Sequence, residues 1–279
     1  MSKLVHGETI VLSPLIRRIT APNPGIMTGP GTNTYLVGKG EWAVIDPGPA
    51  LPQHVAAIVQ AAADAHATIR WILCTHTHMD HSPAAKALRE ATDALVIGMP
   101  AATPQSQDPD FAPDQCWQEG DYISSDDFVL TAVHTPGHAS NHLCFYLEQE
   151  RILFTGDHIM EGSTVVIAPP DGDMKDYLES LQKLKALDLH LLAPAHGNLM
   201  EHPQGIIEGL IQHRLMRECK VLEGMQKTGP ADLDTLTPVV YDDVPDYLHP
   251  IARYSLLAHL GKLLKDGRVC EDNGAWRRT

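Results

Sequence analysis

Thr75-His76-Thr77-His78-Met79-Asp80-His81 packs four metal-capable side chains into one short run. Neutral imidazoles suit a borderline metal such as zinc, and the carboxylate adds charge and a hard oxygen ligand. The preceding stretch, Ile69-Arg70-Trp71-Ile72-Leu73-Cys74, is apolar and reads as a buried strand. Ser82-Pro83 then opens a helical pattern, with Ser82 as N-cap and Pro83 at the first helical position. The run therefore occupies a strand-to-helix loop at the carboxyl end of a strand, where open α/β sheets tend to place their chemistry.

Three further donors lie at wide spacing. His138 follows Thr135-Pro136-Gly137 after the strand-like Phe128 to Val133. Asp157 follows Phe154-Thr155-Gly156 after Arg151-Ile152-Leu153, and His196 sits in Pro194-Ala195-His196-Gly197 after Leu191-Leu192. Each is at a strand end beside a glycine that lets the chain turn sharply. The seven donors together exceed the four of a closed structural zinc site and suit two metals that share a carboxylate.

This arrangement resembles the metallo-β-lactamase superfamily of hydrolases. Other stretches resemble its lactamase-beta-2-like branch: Gly31-Thr32-Asn33-Thr34-Tyr35-Leu36-Val37-Gly38, Thr135 to His142, Glu161 to Val166, His213-Arg214 with Arg217-Glu218, and Val244 to His249. The resemblance implies an α/β fold, a four-layer αββα sandwich with a two-metal centre at one edge, followed by a small winged-helix-like region. It implies that His76, His78 and His138 hold one metal, Asp80, His81 and His196 the other, and that Asp157 bridges them. The implied cofactors are two zinc ions, other divalent metals being admissible. The metals would share a water or hydroxide as nucleophile, and Asp80 would have a catalytic role in orienting it. The expected boundaries are 1–202 for the catalytic domain and 203–279 for the winged-helix-like domain.

Two metals roughly 3.5–4 Å apart polarise a scissile group and bring the pKa of bound water toward about 7. No serine or cysteine nucleophile is then required. The first substrate expectation is a small ester or thioester, similar to those of hydroxyacylglutathione hydrolases. The alternative is phosphodiester hydrolysis of single-stranded RNA. A β-lactamase, or a nucleic-acid-binding module built on the winged helix, fits less well.

Composition sets bounds on these readings. The 279 residues carry a net charge of −14, nearly all of the acidic excess lying before Pro203, and no basic stripe for a phosphate backbone is present. A small-molecule substrate is thus favoured, RNA is retained, DNA is disfavoured, and a homodimer is left open. No apolar run of about 18 residues suggests a membrane span, and Met1 to Glu8 lacks the apolar core of a secretory leader. The five scattered cysteines suggest free thiols in a reducing, cytoplasmic setting, with Cys74 a core thiol.

Strands are expected at Thr9–Ser13, Leu15–Thr20, Thr34–Val37, Glu41–Ile45, Ala94–Gly98 and Leu143–Leu147. Asp46-Pro47-Gly48 reads as a turn near the expected metal edge, helices are expected at Leu51–Ala65 and Asp173–Leu187, and a surface loop at Pro100–Pro113. Beyond Pro203 the pattern turns helical: Gly205–Lys227, with Ile207, Leu210, Ile211, Leu215, Val221, Leu222 and Met225 as its apolar face, then Leu233–Val240 and Leu248–Lys265. This region is expected to brace the sandwich or wall the cleft. Near the donors, His142 reads as an outer neighbour of the site or a packing residue. His134 reads as a partner of a ligand, and His158 as pointing away because side chains alternate along an extended segment.

Overall fold

The computed structural model describes residues 4–102 and 107–279. Their contacts form two compact units. The first comprises the described residues of Met1–Thr135, Asn141–Ser163 and Asp188–Pro203, and the second Pro136–Ser140, Thr164–Leu187 and Gln204–Thr279.

The first unit is built on two sheets. Seven strands, β1 (Ile10–Val11), β2 (Ile16–Thr20), β3 (Asn33–Val37), β4 (Glu41–Ile45), β5 (Thr68–Leu73), β6 (Leu95–Gly98) and β7 (Gln115–Cys116), lie side by side in chain order. The sheet is antiparallel as far as β4 and parallel from there on. Parallel neighbours need a crossover, and helices α1 (Pro52–Asp64) and α2 (Ala84–Thr92) supply the two between β4, β5 and β6. The second sheet runs β13-β12-β11-β10-β9-β8, formed by β8 (Tyr122–Ser124), β9 (Val129–His134), β10 (Leu143–Leu147), β11 (Ile152–Gly156), β12 (Leu191–Pro194) and β13 (Met200–Glu201).

Side-chain alternation explains the layering. Tyr35 and Val37 of β3 and Ala43 and Ile45 of β4 enter the core shared with Phe145 and Phe154 of the second sheet. Leu36, Trp42 and Val44 face the opposite way, into a core with Ile58 of α1 and Leu88 of α2. β3 is buried on both faces along its whole length: Tyr35-Leu36-Val37 gives the apolar run of a strand covered on both sides, and Asn33 and Thr34 are buried polar residues. Tyr35 and Phe154 meet across the sandwich with ring centroids 5.0 Å apart.

The parallel pairings matter most for function. Because β4 and β5 are parallel, Asp46 and the Thr75–His81 run leave the sheet at the same end. β11 and β12 are also parallel, so Asp157 and His196 do the same in the other sheet.

Some local expectations fail. Ser82 does not cap α2: the helix starts at Ala84 with Pro83 at the N-cap, one residue too late for the Ser82 side chain to cap it, and Ser82 Oγ donates to Asp108 Oδ2 at 2.8 Å. The loop expected at 100–113 is described except for residues 103–106, which lie outside the described set. It does not stay on the surface: Gln107 is buried, forms a bridge with His78, and accepts a hydrogen bond from Thr77 Oγ1.

The second unit contains α3 (Met174–Leu184), α4 (Pro203–Thr228), α5 (Leu233–Val240), α6 (His249–Lys265) and the hairpin of β14 (Val269–Asp272) with β15 (Ala275–Arg278). Asp173 caps α3 by accepting from the amides of Lys175 and Asp176, and Asp232 caps α5 through the amide of Thr235. Asn273-Gly274 closes the hairpin with both residues at positive φ, as a two-residue type I′ turn requires. Val221, Leu222 and Met225 of α4 pack with Leu236, Leu256, Leu260 and Trp276. One turn earlier the expected apolar face of α4 breaks down. Leu215 is exposed, whereas Arg214, Arg217 and Glu218 are buried. Spaced three and four residues apart with Val221, these charged residues occupy the inward stripe. Among the described residues no helix is long and apolar enough to cross a membrane.

Candidate metal centre

Six of the seven expected donors lie in the first unit, and the strand ends bring them together. The ligand-capable atoms of His76, His81 and Asp157 fall within 4.8 Å of one another, and so do those of Asp80, His81 and His196. His76 Nε2 is 2.8 Å from His78 Nδ1. His196 Nε2 lies 3.3 Å from Asp80 Oδ2 and 3.2 Å from Asp157 Oδ1. Asp157 therefore sits between the two groups of histidines. The seventh donor, His138, is on the Pro136–Ser140 segment of the second unit, where its Nδ1 is 2.7 Å from the Val166 carbonyl.

The donors fit divalent cations. His81 Nε2 is buried with no hydrogen-bond partner. Its nearest acceptors, Asp80 Oδ2 and Asp157 Oδ1, lie 3.4 and 3.5 Å away, separations that suit ligands gathered around a common ion. A buried donor left in this condition is costly unless something occupies the space between the atoms. Imidazoles and carboxylates in this ratio are the donor set of zinc and its neighbours.

Protons compete for the same positions. Burial pushes His81 toward neutrality, but the carboxylates of Asp80, Asp157 and Asp46 outweigh it and hold its pKa well above the ordinary value. His196 behaves likewise: burial opposes its charge, Asp157 and Asp80 prevail, and its pKa rises to about 10. For Asp157, burial favours the neutral acid, yet the His196 and His81 charges keep it well below the usual carboxylate range. His76 is different: burial, then His81 and His78, drive its pKa well down, so it is neutral and ready to ligate. A metal must displace the protons of His81 and His196, since only neutral imidazole ligates. Zinc uptake at pH 7 should thus release one to two protons per chain, and apparent affinity should rise with pH toward about 10. Titration calorimetry in buffers of different ionisation enthalpy measures this; uptake without proton release would contradict the assignment.

Outer contacts fix each donor, and several were not anticipated. Asp46, read from the sequence only as a turn residue near this edge, accepts from His81 Nδ1 at 3.0 Å and from the amide and hydroxyl of Thr75 at 2.8 and 2.9 Å. Thr75 Oγ1 in turn is 3.0 Å from His76 Nδ1. One carboxylate thereby orients two histidines and directs the Nε2 of each into the cluster. Thr32 Oγ1 donates to Asp80 Oδ2 at 2.9 Å. Asn33 and Tyr35 donate to the Pro194 carbonyl, and Asn33 also to that of Gly197, which pins both sides of His196.

His142 is such an outer neighbour: its Nδ1 meets Thr135 Oγ1, and its Nε2 accepts the Asp157 amide at 3.2 Å. Gly156 makes this possible. Its φ is +49°, and a Cβ there would lie 2.6 Å from His142 Nε2 and 2.7 Å from Thr75 Oγ1. His158 is fully buried beside the His142 ring and belongs to none of the donor groups. His134 ends β9, its amide donating to Glu119.

Residues 27–196 match the metallo-beta-lactamase superfamily, and residues 233–276 match the beta-lactamase associated winged helix domain. A beta-lactamase-like protein 2 homolog from Drosophila melanogaster is 32% identical, over 95% of this chain and 93% of that protein. An atrochrysone carboxyl ACP thioesterase from Aspergillus fumigatus is 33% identical, over 78% of this chain and 67% of that protein. A beta-lactamase domain protein from Burkholderia ambifaria superposes with a TM-score of 0.83 at 20% identity, covering 100% of this chain and 95% of that one. The chain is a member of the metallo-beta-lactamase superfamily of hydrolases, carrying the winged helix domain associated with it.

Proposed function

We propose that the chain is a two-zinc hydrolase of small acyl thioesters acting in the reducing cytoplasm. The convergence of Asp157 with His76, His81 and His196 carries the metal reading. The thioesterase relative supports the choice of bond, and five free cysteines are in keeping with the compartment. His76, His78 and His138 would hold one ion, Asp80, His81 and His196 the other, and Asp157 both. When bound, two such ions polarise the carbonyl and supply a water whose pKa is near about 7.

The protein's own groups do the rest. Asp46 fixes the His81 imidazole and, through Thr75, that of His76, so that neither ring reorients during turnover. Thr32 holds Asp80 at one oxygen, leaving the carboxylate placed to orient the attacking water by accepting its proton in a hydrogen bond. In His138, Nδ1 is engaged by a backbone carbonyl, which makes Nε2 the nitrogen directed to a ligand. The negative charge of the chain disfavours approach by a polyanion, which ranks thioester above RNA.

A zinc-reconstituted preparation should cleave acyl thioesters, including a hydroxyacylglutathione and an acyl-pantetheine, at least about tenfold faster in kcat/KM than RNA, a phosphodiester or a β-lactam, a gap of roughly 1.4 kcal/mol. Faster cleavage of RNA would replace this reading with the endoribonuclease one.

A further inference from the structure

The buried charged stripe of α4 lines a cavity of about 210 Å³ within the second unit. Its walls are largely apolar, with Val165, Val244, Leu248 and Ile251 among them, while Arg214, Arg217, His213 and Tyr241 supply the polar part. The two arginines are differently placed. Arg217 is satisfied: it makes paired contacts of 2.7 and 3.2 Å to Asp243 and donates to the Val240 carbonyl. Arg214 is only 3% exposed. It donates to the Val165 carbonyl and stacks over the Tyr177 ring at 5.1 Å. Its Nε has no hydrogen-bond partner, and among the described residues no carboxylate forms an ion pair with it.

Tyr241 adds a second unused donor. The residue is 6% exposed, lies under the Arg217 guanidinium at 4.4 Å, and its hydroxyl has no partner. Burial raises its pKa to about 12, so the hydroxyl keeps its proton throughout the physiological range. His213 is moved the other way, by burial and then by the two arginines, so it adds no competing charge near neutrality. A buried cation without a counter-charge and a buried hydroxyl without an acceptor each destabilise the fold. An anion in this cavity would bring a counter-charge and an acceptor to two residues of its lining that lack them. The cavity's size and largely apolar walls suit an acid group on a short chain.

We propose that this cavity binds a small organic anion, a carboxylate or phosphate ester on a short apolar chain, with Arg214 pairing its oxygens and Tyr241 donating to one of them. None of the metal donors lines this cavity, although Val166, which does, has its carbonyl 2.7 Å from His138 Nδ1.

Calorimetric titration of the full zinc-loaded chain with hexanoate, hexyl phosphate, hexanol and inorganic phosphate tests this. Hexanoate or hexyl phosphate should bind at about one per chain, whichever is tighter identifying the head group, with hexanol and inorganic phosphate at least about tenfold weaker. Tyr241→Phe should lower that affinity about tenfold while leaving the melting temperature unchanged or raised, since it removes an unsatisfied buried hydroxyl. Arg214→Gln should abolish binding; if that variant does not fold, Tyr241→Phe decides alone. Binding should persist in His78→Ala. The proposal is overturned if neither organic anion saturates the wild type, if Tyr241→Phe leaves affinity unchanged, or if His78→Ala abolishes binding and so places the anion at the metal cluster.

Discussion

Replacing Asp157 with Asn should lower kcat/KM by about a thousandfold or more, equivalent to roughly 4 kcal/mol of lost transition-state stabilisation, and should reduce bound metal to one ion or fewer per chain. The substitution keeps the shape of the side chain and removes its charge. Asp157 is the carboxylate shared by His76, His81 and His196, so no other residue can take its place between them. Its loss also leaves the protonated forms of His81 and His196 with one counter-ion fewer, and a moderate fall in thermal stability should accompany the loss of activity. Circular dichroism separates that from unfolding. Retention of two metals and most of the turnover by Asp157→Asn would remove the need for a bridging carboxylate.

The second large effect is expected at Asp46, which is no member of the ligand groups. Asp46→Asn keeps an oxygen for one of its three partners but loses the charge that holds His81 Nδ1–H and anchors Thr75. Loss of such outer partners typically costs about 10–100-fold in metal affinity, and competition against a chelator of known strength measures it. An unchanged affinity would show that the sheet alone orients His76 and His81.

The asymmetry between these two residues shows what the sequence discloses. The ligand run was legible because its donors are chemically distinctive and adjacent, and because glycines mark the strand ends that carry the remote ones. Asp46 was visible only as part of a turn. Its role depends on β4 lying parallel to β5, which places Asp46 beside Thr75, and no local pattern encodes that neighbour. Gln107 is similar: a segment rich in Pro, Asp and Gln reads as solvated, and only the bridge to His78 shows that it returns. The buried charges of α4 misled in the opposite direction. A helical apolar stripe predicts Leu215 inside, but the stripe passes through Arg214, Arg217 and Glu218, whose partners Val165, Asp243 and Lys262 come from elsewhere in the second unit. Regular elements fared better because their periodicity is local: α5 was expected at Leu233–Val240 and forms there.

Metal stoichiometry tests the central claim most directly. The chain should be freed of metal with a chelator, reconstituted with zinc at neutral pH, passed through a desalting column, and analysed for zinc and protein together. Two overlapping donor groups, with Asp157 of the first 3.2 Å from His196 of the second, predict about two zinc ions per chain. A value near zero would contradict the account, because donors this close and this buried would then be a network held by protons alone.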